Sequence, residues 1–321
     1  MTKGTKVLLI IGIACIVASL IIFGIALWLG GARFEEGMDT RLFGVNIHMG
    51  KDGVYAGGAY TEEVTVGEYI ADEKITAIDV NWISGEVDFV IGGEYITASE
   101  TYSGELSENQ QMACTVVNGT LKIEYNYGKT SIVNINEAVG DKVLTVTIPE
   151  HMVSDMDSIS VDTTSADVTI SDMSAGGIRI HTTSGDVFVT NVSAGRFTLD
   201  TTSGCAEITN VAAGAFTHKS TSGYLNAIEC SFGSIECDST SGDTYMTLNS
   251  VPSELDAETT SGEVELYLPE DAEFTLEFDH ASGDLELEFA SVMRGDEYVV
   301  GNGRNEISIE TTSGDVFIRV K

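Results

Sequence analysis

Basic residues are scarce in this chain of 321 residues. Lys and Arg number 16 against 50 Asp and Glu, which gives a formal net charge of -34. Such a surface repels the phosphates of nucleic acids, so nucleic acid is excluded as a partner. It also repels anionic lipid headgroups, so contact with a membrane requires a separate feature. We expect the acidic residues to form a solvated surface that keeps the protein soluble.

Cysteine and proline are rare as well. The five cysteines, Cys15, Cys114, Cys205, Cys230 and Cys237, are odd in number and contain no Cys-x-x-Cys pair. They therefore match neither a disulfide framework nor a zinc site. We expect small core residues, and a bridge between Cys230 and Cys237 is the alternative. Three prolines beside 34 glycines are typical of a β-rich chain with tight turns.

Several catalytic motifs are missing from the sequence. It contains no Gly-x-Ser-x-Gly elbow, no His-Glu-x-x-His pair and no Gly-Gly-x-Gly-x-Asp calcium turn. Residues 128–130 resemble the end of a phosphate loop, but Ile123 stands where the first glycine is required. An enzyme acting on acidic polysaccharide would need basic residues, and the repeats offer mainly Arg179, Arg196 and Lys219. We expect no catalytic residue, no cofactor and no metal site.

One long apolar run stands apart from this composition. Residues 7–29, from Val7 to Leu29, carry no charge. At about 1.5 Å per residue, a helix of this length crosses the roughly 30 Å hydrocarbon core of a bilayer. Two lysines precede the run, which predicts a cytoplasmic tail at residues 1–6 and an extracytoplasmic location for everything that follows. A cleaved signal peptide is the alternative, but its apolar region is usually shorter.

The rest of the sequence divides into three stretches. Residues 30–73 have no helical period and contain several glycines and acids, which predicts a spacer with one short hairpin. Beyond them apolar residues alternate, as in strands, and Ser84 and Ser103 each precede Gly-Glu at a 19-residue spacing that suggests a degenerate repeat. We interpret residues 74–150 as a strand-rich cap and residues 151–321 as the repeat region, because the terminal units of an array are atypical.

A Thr-Ser-Gly corner, or a close variant, recurs through the repeat region. Successive serines are separated by 19, 19, 19, 19, 20, 21 and 31 residues, a period typical of arrays whose units bury their apolar faces against their neighbours. Glycine after the serine permits a positive φ and a close backbone approach. The predicted corner residues are Ser165, Ser184, Gly185, Ser203, Gly204, Ser222, Gly223, Ser241, Gly242, Ser261, Gly262, Ser282, Gly283, Ser313 and Gly314.

Each repeat is predicted to contain two short strands. With the corner serine as position 0, apolar residues alternate at positions 3 and 5, as in Val187 and Val189, and again at positions 13 and 15, as in Phe197 and Leu199. Stacked about 4.8 Å apart, each strand would pair with its equivalent in the next repeat. We predict an all-β fold, a parallel β-solenoid of about 19 residues per coil, behind one N-terminal transmembrane helix. A sandwich of antiparallel hairpins is the alternative, but hairpins would alternate their turn types.

Two positions bear on in-register stacking. Position -3 holds Asp162, His181, Asp200, Lys219 and Asp238, so acidic side chains alternate with basic or neutral ones, as strand pairing favours. Position 2 is acidic in most repeats and would place like charges side by side, so we expect that edge to be solvated. The threonines before the corner serines should line up, with their hydroxyls available for hydrogen bonds along the ladder.

The C-terminal region carries a resemblance. Residues 301–316, Gly-Asn-Gly-Arg-Asn-Glu-Ile-Ser-Ile-Glu-Thr-Thr-Ser-Gly-Asp-Val, closely resemble the closing motif of a bacterial family of adhesin-like domains of unknown function, also described as toast-rack domains. The strand at residues 143–149 and the repeated Thr-Ser-Gly-Asp-Val corners are similar too, and the resemblance covers roughly residues 70–321. It implies a β-solenoid exposed at the cell envelope, commonly behind one membrane anchor, and it brings no catalytic residue.

These observations together predict a membrane-anchored, extracytoplasmic binding or structural module of the bacterial envelope that performs no catalysis. Its expected partners are the membrane, through Val7 to Leu29, and an envelope protein or a wall polymer. One alternative is an accessory protein in envelope stress or signalling that docks a membrane partner. A second alternative is a β-helix enzyme acting on polysaccharide.

Overall fold

A computed structural model describes most of the chain. The described residues are 38–42, 45–50, 53–56, 65–71, 74–126, 130–131 and 142–321. The predicted membrane-spanning segment at residues 7–29 lies outside these ranges. Within them, no helix combines the length and the apolar character that crossing a membrane requires.

The smaller of two compact units comprises residues 1–59 and 128–138. Its described strands are β1 Met38–Leu42, β2 Val45–Gly50, β3 Gly53–Ala56 and β10 Thr130–Ser131. They form an antiparallel sheet in the order β1-β2-β3-β10. Three of these strands fall in the stretch for which the sequence predicts a spacer, and the short strands Thr65–Val66 and Tyr69–Ile70 of the larger unit fall there too. The described residues of that stretch therefore contain five strands, where a single hairpin was predicted.

The larger unit comprises residues 60–127 and 139–321, and strands dominate its described part. Two short 3-10 helices are present at Glu108–Gln110 and Glu150–Asp155. The strands are β4 Thr65–Val66, β5 Tyr69–Ile70, β6 Ala77–Ile91, β7 Thr97–Thr101, β8 Ala113–Val117, β9 Thr120–Glu124, β11 Lys142–Ile148, β12 Met156–Ser171, β13 Ser174–Thr182, β14 Val187–Thr190, β15 Ser193–Thr201, β16 Ala206–Thr209, β17 Ala212–Ser220, β18 Leu225–Ser239, β19 Thr244–Leu248, β20 Glu254–Thr259, β21 Val264–Leu268, β22 Phe274–His280, β23 Leu285–Leu287, β24 Ser291–Arg294, β25 Glu297–Val300, β26 Asn305–Thr311 and β27 Val316–Val320. The predicted all-β class is confirmed.

Neighbouring repeats pair in parallel and in register. β13, β15, β17 and the second half of β18 form a first row of strands, while β14, β16, the first half of β18 and β19 form a second row. In the second row Val187 is paired with Ala206, and Val189 with Ile208. The long strand β12 takes part in both rows. The parallel pairing expected from the 19-residue spacing is confirmed for these strands.

At the N-terminal end of the stack, β6 forms a complete repeat that contributes to both rows. It pairs in parallel with β12 and places Ser84 beside Ser165 and Gly85 beside Ala166, so the degenerate repeat suspected at Ser84 is confirmed. On the other side of β6, β9 continues the first row and β11 the second row. β8 and β7 then pair antiparallel with β9 and β11. The stretch with Ser103 follows antiparallel β7 and takes no place in the corner ladder.

At the C-terminal end, the stacking order departs from the chain order. β26 and β27 insert between β20–β21 on one side and β22–β23 on the other. Ser313 therefore follows Ser261 in the stack, and Ser282 comes last, so the expectation that each corner lies over its predecessor in sequence is wrong here. The 31-residue step contains the hairpin β24–β25, whose second strand pairs antiparallel with β22 and allows the chain to return.

The two rows bury their inward side chains between them. Phe197, Phe216 and Phe232 form part of this core, with ring centroids 5.3 Å and 4.6 Å apart. Burial of each such ring stabilises the folded chain by about 1.5–3 kcal/mol relative to leaving the ring in water. The sequence pattern of strands β14 and β15 thus predicts the correct inward side.

All four cysteines of the described residues are free thiols. Cys114, Cys230 and Cys237 are buried, as expected. Because Cys230 and Cys237 are both free, the alternative bridge between them is not formed. Burial raises the pKa of Cys114 to about 12 and that of Cys230 to about 11. Cys205 is exposed, because it occupies position 2 of its repeat, and the prediction of a core residue is wrong there.

Candidate functional site

The corner serines form a hydrogen-bonded ladder along the stack. Ser184 Oγ donates to the carbonyl oxygen of Thr164 at 3.3 Å, and Ser203 Oγ donates to that of Thr183 at 3.2 Å. The same bond recurs at Ser165, Ser222, Ser241, Ser261, Ser282 and Ser313. These hydroxyls are therefore structural links between repeats and are not arranged as nucleophiles.

The corner glycines are required by close backbone approach. A Cβ on Gly204 would lie 1.9 Å from the carbonyl oxygen of Gly185, and one on Gly185 would lie 1.9 Å from that of Ala166. The φ angles at both glycines fall outside the left-handed region. Among the fifteen predicted corner residues, only Gly283 is a glycine with a positive φ, 140°, and Gly85 of the degenerate repeat has a φ of 98°. Of the two reasons that the sequence suggests for glycine, close approach is correct and positive φ is wrong at most corners.

A hydroxyl at position -2 closes most corners from the inside. Thr182 Oγ1 accepts the backbone N–H of Gly185 at 2.9 Å, and Thr201 Oγ1 does the same for Gly204 at 2.9 Å. These residues occupy position -2, and both side chains are nearly inaccessible. The ladder predicted from the sequence was at position -1, as in Thr183, where the side chains are exposed. Position -2 holds Thr or Ser in seven of the eight repeats, and that signal was available in the sequence.

The acidic residues at position 2 also have a structural partner. Asp167 Oδ1 accepts the backbone N–H of Asp186, and Asp186 Oδ1 accepts that of Cys205, both at 2.8 Å. Asp243 and Asp315 act in the same way toward the neighbouring repeats. The edge is exposed, as predicted, and the carboxylates satisfy amides that the corner leaves without a strand partner. Among the described residues, no group of three or more His, Cys, Asp or Glu could hold a metal ion.

A second bend lies at position 7, for which no turn was predicted. Asp172, Asn191, Asn210 and Glu229 all have φ between 53° and 58°, in the left-handed region that Asn and Asp tolerate best. Asn191 Nδ2 donates to Asp172 Oδ1 at 2.9 Å, and Asn210 Nδ2 donates to Asn191 Oδ1 at 2.8 Å. An Asx ladder thus supports this bend, as the serine ladder supports the other.

The outward side of the first row carries alternating charges. Arg179 bridges Asp162 and Asp200, each at 3.3 Å. Lys219 contacts Asp238 at 2.7 Å, and this hydrogen bond raises the pKa of Lys219. The predicted charge alternation is confirmed by the pairing register. Exposed pairs of this kind contribute little energy each, and here they occupy two of the three main cations of the repeats.

The outward side of the second row carries an aromatic cluster near its C-terminal end. We define the aromatic face as Tyr245, Tyr267, Phe317, Arg319 and Glu265. The two tyrosine rings lie 5.3 Å apart, and Tyr267 Oη donates to Glu265 Oε1 at 2.9 Å, which raises the pKa of Tyr267. Arg319 Nε lies 3.2 Å from Glu265 Oε1, and its guanidinium stacks 5.0 Å above the Phe317 ring. These contacts hold the rings in place on an accessible strand surface.

Strand register explains how this face forms. Tyr245 is paired with Glu265, and Glu265 with Phe317, while Tyr267 is paired with Arg319. Phe317 and Arg319 reach this place only because β27 inserts next to β21. The outward alternation of β19 and β21 could have indicated the two tyrosines from sequence, but the neighbouring C-terminal strand could not be inferred from spacing.

Residues 74–319 match the Toastrack DUF4097 family. The chain belongs to this family. No curated protein matches the chain.

Solved structures with similarity to the Toastrack chain include three bacterial proteins. A candidate adhesin from Bacteroides fragilis is 12% identical, with 80% of this chain and 98% of that chain covered and a TM-score of 0.47. A candidate lipid-binding protein from Parabacteroides distasonis is 14% identical, with 80% and 97% covered and a TM-score of 0.48. A candidate adhesin from the same organism is 11% identical, with 80% and 98% covered and a TM-score of 0.41.

Proposed function

We propose that this Toastrack chain is an envelope-exposed, non-catalytic binding module, and that its aromatic face is the binding surface. The observation that carries the proposal is the arrangement of Tyr245 and Tyr267, whose rings lie 5.3 Å apart on the outward side of the second row. Tyrosine combines a large apolar ring with a polar tip, which suits contact with ligands that are partly apolar and partly hydroxylated.

A wall glycan is the ligand that fits this surface best. The apolar faces of sugar rings can stack on the two tyrosines, while Glu265 and Arg319 offer an acceptor and donors to hydroxyl and amide groups. The net charge of -34 disfavours an anionic polymer. We therefore propose a neutral, N-acetylated glycan as the ligand class.

The architecture that presents this surface is, we propose, a parallel β-solenoid. Its support is the in-register pairing of successive repeats together with the serine and Asx ladders at the two bends. We further propose that residues 7–29 anchor the chain in the membrane, with the repeats outside the cell. The absence of catalysis is supported by the corner hydroxyls and by Arg179 and Lys219, whose polar groups already serve structural bonds.

A sedimentation assay tests the binding surface. The purified chain is incubated with insoluble peptidoglycan stripped of anionic polymers, and bound protein is measured as a function of glycan concentration. Substituting both Tyr245→Ala and Tyr267→Ala should weaken binding about tenfold or more, because central aromatic residues each contribute on the order of 1 kcal/mol or more. The matched control is Thr198→Ala with Thr217→Ala, on the outward side of the first row, which should bind as the unmodified chain does.

Two outcomes would contradict the proposal. Equal binding by the tyrosine variant and the unmodified chain would remove the aromatic face from the binding surface. Release of soluble sugar fragments during the incubation would show that the chain is an enzyme, as in the polysaccharide alternative.

A further inference from the structure

A buried lysine lies at the N-terminal end of the stack, away from the aromatic face. The side chain of Lys142 is fully inaccessible, and its Nζ lies 2.8 Å from Glu100 Oε2, which is itself 6% exposed. Nζ also donates to the backbone carbonyl oxygens of Gln110, at 3.0 Å, and Tyr125. A charged lysine in such a place is unusual, because two ions removed from water are stabilised only by near-ideal partners.

Aromatic rings enclose the amino group. Nζ of Lys142 lies 3.9 Å from the centroid of the Tyr125 ring and 4.9 Å from that of the Trp82 ring. The two rings meet edge to face at 4.8 Å. Glu100 is oriented by the backbone N–H of Met112, which donates to its other oxygen, Oε1, at 2.6 Å. Burial lowers the pKa of Lys142, so the ammonium loses a proton at a lower free-energy cost here than in water, and the neutral amine that results is a nucleophile.

A side-chain amide lies beside this amine. Nζ of Lys142 is 3.4 Å from Oδ1 of Asn126. Turning the same amide by half a rotation lets Nδ2 donate to the carbonyl oxygens of Gln110 and Tyr125, each at 2.9 Å. Both orientations leave the amide carbon Cγ in the same place and one terminal atom of the amide 3.4 Å from Nζ. The amine and the carboxyl group, both removed from water, thus meet the carboxamide of half-buried Asn126.

Asn126 and Lys142 lie on the two sides of an insertion in one layer of the stack. In an ordinary repeat the chain runs without a break through the corner from one row to the other. β9 and β11 complete one layer beside β6, but residues 127–141 intervene between them in the chain. Asn126 and Lys142 are the last residue before that interruption and the first after it, and Lys142 is paired with the corner glycine Gly85.

We propose that Lys142 and Asn126 are joined by an intramolecular isopeptide bond, with Glu100 as the proton carrier. The ammonium first passes a proton to the Glu100 carboxylate, which leaves a neutral amine. Nζ then attacks Cγ of Asn126. Glu100 gives its proton to the departing amide nitrogen and takes one from the attacking nitrogen, so that the Cγ–Nδ2 bond breaks and ammonia leaves.

This step balances without any oxidant, metal or cofactor. It converts the ammonium group of Lys142 and the primary amide of Asn126 into one secondary amide and one ammonia molecule. Glu100 takes up the remaining proton and ends as a neutral carboxylic acid. The buried ion pair is thereby removed, which relieves the desolvation of two charges. The new bond links β9 and β11 at the corner where residues 127–141 are inserted between them. It also restricts the unfolded chain in the way that a disulfide does.

Intact-mass spectrometry of the full-length chain tests the bond. The chain should be lighter than its sequence mass by one ammonia molecule, and protease digestion should yield a branched species that joins the peptides containing Asn126 and Lys142. Lys142→Arg and Asn126→Ala should each have the full sequence mass of the variant. Lys122→Arg, in neighbouring strand β9 and exposed, is the matched control and should retain the loss of ammonia.

The mass of the unmodified chain decides the proposal without depending on whether a variant folds. A full sequence mass and no branched peptide would overturn the bond. Loss of ammonia that persists in Lys142→Arg would assign the reaction to other residues and overturn it as well. Glu100→Gln should leave the bond unformed, and complete bond formation in that variant would overturn the role of Glu100.

Discussion

At the scale of single residues, the repeat depends on a glycine, a hydroxyl and a carboxylate that each contact one specific backbone group. The corner glycine leaves space for the carbonyl oxygen of the previous repeat, the hydroxyl at position -2 binds the glycine backbone, and the carboxylate at position 2 binds the next amide. Each of these contacts is repeated along the stack. The corner sequence Thr-Thr-Ser-Gly-Asp can therefore be understood residue by residue.

Substitution of a corner glycine tests the close approach. Gly204→Ala places a Cβ 1.9 Å from the carbonyl oxygen of Gly185, a backbone atom that cannot rotate away. We expect a loss of about 1–3 kcal/mol or more, as for overpacked sites, seen as a lower midpoint of thermal unfolding. Gly177→Ala is the control, because nothing lies within 4 Å of its Cβ. Similar midpoints for the two variants would contradict the explanation.

His218 predicts a pH dependence of stability. It is buried, its Nδ1 lies 3.2 Å from the carbonyl oxygen of Leu199, and burial lowers its pKa from 6.5 to about 4. The unfolded chain binds the proton more readily between these values, so stability falls as the pH falls from 6.5 toward 4.

Replacement by leucine, the residue found at the same position one repeat earlier, should remove this contribution. Relative to its value at pH 7.5, the unmodified chain should lose up to about 3 kcal/mol more than His218→Leu by pH 4. The measurement is the free energy of unfolding in urea for both proteins across this range. Parallel pH profiles would show that His218 titrates normally in the folded chain.

At the scale of elements, the insertion of β26 and β27 is the feature that spacing alone misses. Their inward residues Ile307, Ile309, Val316 and Ile318 are almost fully buried, because strands lie on both sides of them. A repeat at the end of a stack would bury one side only. The last repeat of the sequence is thus an internal repeat of the structure.

Deletion of residues 305–321 tests this order. Without β26 and β27, strands β22 and β23 lose their parallel partners, so residues 274–300 should become sensitive to limited proteolysis and the thermal midpoint should fall. Removal of Lys321 alone is the control and should leave this region protected. Protection of residues 274–300 after the larger deletion would mean that β22 pairs directly with β20.

Sequence reasoning succeeded where the information is local and repeated. Val187 and Val189 alternate with exposed neighbours, and the Ser-Gly corner returns at a constant spacing, so strand facing and register could both be inferred. It failed to predict the stacking order at the C-terminal end. β20 and β22 have equivalent patterns, and β26 pairs with both of them. It also missed the Lys142 cage, since an isolated lysine in a sequence is indistinguishable from a surface residue.

At the scale of the whole molecule, the strongly acidic chain requires a hydrophobic anchor to remain at a membrane. The run at residues 7–29 is our proposal for that anchor, and it implies that the repeats lie outside the cell. Cys205 offers a means to test this, because it is exposed while Cys114, Cys230 and Cys237 are buried.

Intact cells that produce the chain should be labelled at Cys205 by a membrane-impermeant maleimide. The maleimide reacts only with thiols that it can reach, so the buried thiols should react only after denaturation. Cys205→Ser is the control and should abolish labelling of intact cells. Labelling of Cys205 that appears only after lysis would place the repeats in the cytoplasm.

The interleaved C-terminal repeat also determines when the protein can finish folding. Each layer from β12 to β21 has one neighbour in the stack that is synthesised before it, so these layers can assemble one after another as the chain emerges. β22 and β23 must wait, because their neighbours β26 and β27 are made after them and have to enter between two partners that precede them. A ribosome that stops before residue 305 would therefore release a chain in which the layers up to β21 are formed, while β22 and β23 lack their parallel partners.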